Sequence, residues 1–162
     1  MINGGEKIAV IGIGNEFRGD DAAGLLVVRR LKEKPPTGVE FGEQSGEATA
    51  LMDAMSQAGT LILVDAVQSG AEVCTIHRYD ASEQALPAQF LRCSTHNFSV
   101  HDAIEMARAL EKLPTRLRVY GIEGSQFEPG SELTPAVQTA VLEAAQRISE
   151  ELENLMRINT DA

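Results

Sequence analysis

Aromatic side chains are scarce in this chain, at 4% of 162 residues, and tryptophan is absent. Hydrophobic residues nevertheless reach 43%, an ordinary globular share, so the core has to be built from aliphatic side chains. Cysteine is nearly missing as well. Cys74 and Cys93 show neither CxxC spacing nor a disulfide framework, which reads as two reduced thiols. Lys and Arg number 14 against 24 for Asp and Glu, a net charge of −10 that repels phosphate-rich partners and argues against nucleic acid. No apolar run approaches the roughly 18 residues of a membrane span. Residues 1–7 lack the basic and apolar regions of a signal peptide, so the chain is expected in the cytoplasm and off the membrane.

What is present is an alternation of strand and helix patterns. Lys7–Gly12 is a short apolar run closed by Gly-Ile-Gly, the pattern of a central strand buried on both faces. Asp20-Asp21 opens a helix with Leu25, Val28 and Leu31 on one face, stopped by Pro35-Pro36. Val39–Glu43 is a second strand and Ala48–Ala58 a second helix, with Leu51, Met52 and Met55 at helical spacing. Thr60–Val67 is the strongest strand, and Val73–Tyr79 alternates as its expected hairpin partner and antiparallel edge. Val100–Lys112 predicts a helix, Leu117–Ile122 a last strand, and Thr134-Pro135 the start of a long helix. The sum is one α/β domain over 1–162, with loose tails at about 1–6 and 157–162. It predicts a three-layer αβα sandwich around a twisted, mostly parallel five-stranded sheet with one antiparallel edge strand.

Such sheets bind ligands beyond the carboxyl ends of their strands. Asp65 is the one charged residue in an otherwise apolar strand, and a buried carboxylate is costly unless paired, hydrogen-bonded or bound to a cation. Asp21 has an ordinary explanation as an acid in a first helical turn, where it would cap the helix or complement its dipole. If the first and third strands are neighbours, the two carboxylates come close. At ~5 Å and an effective dielectric of ~20 they repel by about 3 kcal/mol, which favours a protonated acid or a bound cation. His96, just ahead of the third helix, offers a neutral nitrogen that would turn the pair into a transition-metal site with open positions. His101 competes with it, whereas His77 falls mid-strand. Gly12-Ile13-Gly14 also permits a nucleotide-binding alternative, weakened by Phe17 at the third glycine position and by acids at the helix start. Neither HExxH nor GxSxG is present.

Taken in order, Gly12-Ile13-Gly14-Asn15, Asp20-Asp21, Leu63-Val64-Asp65-Ala66 and Ser94-Thr95-His96-Asn97 resemble the hydrogenase maturation proteases, as do Gly121-Ile122-Glu123 and Glu128-Pro129 with Leu133-Thr134-Pro135. The resemblance implies a cytoplasmic, monomeric endopeptidase that removes a C-terminal extension from a [NiFe]-hydrogenase large-subunit precursor after nickel insertion. It also implies that Asp21, Asp65 and His96 form both the catalytic and the metal site. Nickel would arrive with the substrate, and zinc or cadmium could occupy the site in vitro. A non-catalytic metal-sensing maturation chaperone is the remaining alternative. Two departures are visible: Glu43-Gln44-Ser45-Gly46 replaces the Asp-Gly-Gly segment of many relatives, and Asp21 stands where some have Glu.

Overall fold

The computed structural model describes residues 6–87, 90 and 99–161. Its elements are β1 (Ile8–Ile13), a 3-10 turn (Gly19–Ala22), α1 (Ala23–Leu31), β2 (Val39–Gln44), α2 (Ala48–Gln57), β3 (Thr60–Val67), β4 (Ile76–Asp80), α3 (Val100–Ala109), β5 (Arg116–Glu123) and α4 (Pro135–Asp161). The strands form one sheet in the order β2-β1-β3-β5-β4. All neighbours are parallel except β4, which runs antiparallel to β5 at the edge.

Period-2 alternation in β3 divides its side chains between two cores. Ile62, Val64 and Ala66 face α1 and α4, packing with Val27, Val28 and Ile148. Leu61, Leu63 and Val67 face α2 and α3, packing with Leu51, Met55 and Ile104. Both faces are thereby covered and the three-layer α/β architecture is the one expected. Asp65 shares the parity of Leu63 and Val67, which assigns it to the face of α2 and α3.

Two expectations need correction. β4 does not pair with β3, because β5 occupies that edge with a continuous parallel register from Thr60↔Arg116 to Val67↔Glu123. The alternating pattern of residues 73–79 identifies a strand and an antiparallel edge, but periodicity carries no information on which neighbour it finds. The C-terminal helix also passes Met156, where a loose tail was expected, and continues to Asp161.

α1 lies directly on the sheet backbone. A Cβ on Gly24 would stand 2.2 Å from the Val64 carbonyl oxygen and 2.6 Å from that of Ile13, both main-chain atoms that cannot swing aside. Alanine favours a helix over glycine by about 1 kcal/mol, yet here overpacking should win. We therefore expect Gly24→Ala to lose about 1–3 kcal/mol, seen as a lower urea midpoint at unchanged slope. A higher midpoint would mean that α1 can move outward freely.

Candidate active site

β1 and β3 are parallel neighbours, so the loops leaving their carboxyl ends open on one edge of the sheet. The chain goes to one side of β1 for β2 and to the other side for β3, which makes this edge the switch point where α/β sheets hold ligands. Asp21 and Asp65 both line a cavity of about 440 Å³ there, together with Arg18, Arg29, Gln44 and Val100.

Asp21 reaches the cavity from the 3-10 turn before α1. The helix-capping role that would be the ordinary explanation of Asp21 is not what the structure has: α1 begins at Ala23 with no side-chain cap. Instead the Asn15 N–H donates to Asp21 Oδ2 at 3.1 Å. Gly14 lets this loop close on the turn. Its φ is +155°, and a Cβ there would lie 2.0 Å from the Asp21 carbonyl oxygen. Asp20, beside it, is fully buried and faces away, accepting hydrogen bonds from Ser125, Gln126 and Thr134.

Burial pushes the Asp21 carboxyl above its ordinary value, offset in part by the Arg18 guanidinium and the Asn15 N–H. Burial, followed by the nearby Asp21 charge, pushes Asp65 well above the carboxylate range, and only the Ala66 N–H, donating at 2.8 Å, opposes this. The pair is electrostatically frustrated in the way its sequence position suggested: two desolvated carboxylates share a cavity with no cation in ion-pair contact among the described residues. A proton on Asp65 or a divalent cation between the two relieves the repulsion.

His96 lies outside the described residues. The other two histidines are accounted for elsewhere. His101 Nε2 is 3.3 Å from the Leu86 carbonyl oxygen, and His77 Nε2 is 3.1 Å from Glu123 Oε1 on the far side of β5. Neither lines the cavity, whereas Val100, four residues after His96, does. Among the described residues no three His, Cys, Asp or Glu side chains are grouped to hold a metal.

The arginines of the site carry no signal in the sequence. Arg29 on α1 donates to both carboxylate oxygens of Glu43, at 3.2 and 2.7 Å, and to Glu16 at 3.2 Å. These partners are 13 and 14 residues away, so no helical spacing advertises them. Arg18 lines the cavity without any side-chain hydrogen bond or ion pair among the described residues. Gln44 Oε1 is likewise buried and unpartnered, its Nε2 donating to the Ala50 carbonyl at 3.3 Å. The nucleotide-binding alternative is not supported by the glycines. A Cβ on Gly12 would meet the Gly24 carbonyl oxygen at 2.2 Å, so the Gly-x-Gly turn accommodates α1 and its preceding turn rather than a pyrophosphate.

A family model described as hydrogenase maturation protease matches residues 26–151. The chain is 26% identical over 145 residues to the hydrogenase 2 maturation protease of Escherichia coli K12, covering 88% of both. It is 30% identical over 148 residues to the hydrogenase expression/formation protein HoxM of Azotobacter vinelandii, covering 88% of the chain and 70% of the relative. Among solved structures, the hydrogenase maturating endopeptidase HybD of E. coli superposes with a TM-score of 0.76 at 23% identity, covering 91% of this chain and 93% of that one, a likeness of fold.

Proposed function

Because the chain belongs to the hydrogenase maturation protease family, and is accordingly a hydrolase of the endopeptidase class, we propose that it trims a [NiFe]-hydrogenase large-subunit precursor once nickel has been inserted. In this reading the bond cut lies at the junction with a C-terminal extension. The nickel belongs to the substrate, and Asp21, Asp65 and His96 are the residues of this chain that would hold it while the scissile peptide lies in the cavity. The protein works in the cytoplasm as a monomer. Among the described residues no helix is long and apolar enough to cross a membrane.

The observation that carries the proposal is the frustrated carboxylate pair at the β1/β3 switch point. An Asp65 whose proton is held well above the ordinary range, beside a second buried acid, suits a site that waits for a cation. The donor set fits borderline divalent metals such as nickel or, in vitro, zinc or cadmium: two carboxylates and one imidazole leave positions open for substrate donors. Bound there, the metal would add Lewis acidity near the peptide. What this chain contributes is position. Asn15 aims Asp21, the rigid end of β3 aims Asp65, and the cavity walls hold the peptide next to both, so that proximity supplies a large part of the rate.

The test is mass spectrometry of the large-subunit precursor after incubation with the protein, with and without nickel. The expected result is loss of the extension with nickel only. His96→Ala and Asp21→Ala should leave the precursor at full length while circular dichroism reports a folded protein. Trimming that proceeds in the His96→Ala variant rejects the assigned site. A metal-sensing chaperone would bind the precursor and never shorten it.

A further inference from the structure

The cavity that holds Asp21 and Asp65 does not end at the site. Arg18 also lines a second cavity of about 600 Å³, bounded by Gln68 after β3 and by Ser125, Gln126 and Pro129 after β5. Gln44, at the end of β2, stands in the first cavity. The two hollows therefore follow the carboxyl ends of β2, β1, β3 and β5 in their order across the sheet, with Arg18 as their shared wall.

One charged group along this line lacks a partner among the described residues. The Arg18 guanidinium is a fork of five donors with no acceptor in contact. The other arginine in the first cavity, Arg29, is already occupied by Glu43 and Glu16. An extended peptide offers such a fork a main-chain carbonyl at nearly every residue. Side-chain fit is not needed for such main-chain recognition.

Resting on the endopeptidase reading above, we infer that the two cavities form one peptide groove in which Arg18 donates to main-chain carbonyls of the extension as it passes from the first cavity into the second. Arg18 is thus a positioning and binding residue for the leaving peptide.

The experiment uses two readouts on the intact protein. The first is binding of a fluorescent synthetic peptide that spans the cut and the extension of the large-subunit precursor. The second is trimming of the nickel-loaded precursor itself. Arg18→Ala should weaken peptide binding about tenfold and raise KM with kcat within about twofold, the effect expected of lost charge-assisted hydrogen bonds. Arg18→Lys, which keeps the charge and loses the fork, should recover part of this. A peptide truncated just past the cut should bind wild type and Arg18→Ala alike.

Equal affinity of wild type and Arg18→Ala for the full peptide overturns the groove, as does an equal loss on full and truncated peptides. Arg18-dependent peptide binding with no trimming by wild type would instead uphold the groove and reject the endopeptidase reading. Normal trimming with Arg18-independent binding would do the reverse.

Discussion

Asp65→Asn should abolish precursor trimming and at the same time make the protein more stable at neutral pH. The first effect follows from removing one of the two buried carboxylates that the cavity brings together. Changes to groups that merely orient metal ligands commonly cost about 10–100-fold, and loss of the ligand itself should exceed the upper end. The second effect follows from burial. Asp65 sits in a strand whose every residue is buried, and burial together with Asp21 pushes its carboxyl well above the ordinary value. In the unfolded chain it ionises near about 3.9. Its contribution to stability is therefore full below that pH and is lost as pH rises through the folded value, so at pH 7 a carboxyl buried at position 65 is a burden on the fold. Asparagine has the same shape and still accepts from the Ala66 N–H through Oδ1. A gain of about 1–2 kcal/mol, or about 3–6 °C in Tm, is the scale expected when a functional-site conflict is removed. Thermal melts of chelator-treated wild type and variant at pH 7 and pH 3.5 check it: the difference should be present at the first and vanish at the second. Equal Tm values at pH 7 would mean that an unrecognised partner already satisfies Asp65.

This conflict is legible in the amino-acid sequence because it is local. One acid inside TLILVDAV contradicts the strand around it, and period-2 parity even assigns it a face. The order of strands and helices, the parallel sheet and the Gly-x-Gly turn are legible for the same reason, since each is written in neighbouring residues. What escapes depends on distant ones. The partner of β4 is decided by where β5 lands after α3, and the partners of Arg29 lie across β1 and β2. Asp20 and Asp21 carry the same side chain at adjacent positions, and a rule about helix starts treats them alike. The 3-10 turn points them in opposite directions, one into the interior and one into the cavity.

That divergence gives the second large expectation. Asp20→Ala should cost about 3–5 kcal/mol, a large share of the roughly 5–15 kcal/mol of a typical domain, whereas Asp21→Ala should stay within about 1 kcal/mol. Asp20 is fully buried. Its Oδ2 accepts from the N–H groups of Ser125 at 2.8 Å and Gln126 at 3.0 Å. Its Oδ1 accepts from the Thr134 N–H at 2.8 Å and hydroxyl at 2.9 Å. One carboxylate thereby ties the turn before α1 to the loop after β5 and to the residue that precedes α4. Removing it strands three main-chain donors, each costing about 1–3 kcal/mol when left dry, with less than additive effect. Burial alone would raise the Asp20 carboxyl, but these hydrogen bonds outweigh it and hold the group below its ordinary value. Its stabilisation is present above the unfolded value near about 3.9 and is lost as pH falls through the lower folded value, the opposite slope to Asp65. Urea melts of the two variants and wild type at pH 7 and pH 2.5 separate the roles: the Asp20→Ala deficit should be large at pH 7 and shrink in acid. A deficit below about 1 kcal/mol at pH 7 would show that water replaces the carboxylate, and that the loop after β5 is held by its main-chain bonds, Asp20 N–H to the Gln126 carbonyl and Gly19 N–H to the Ser131 carbonyl.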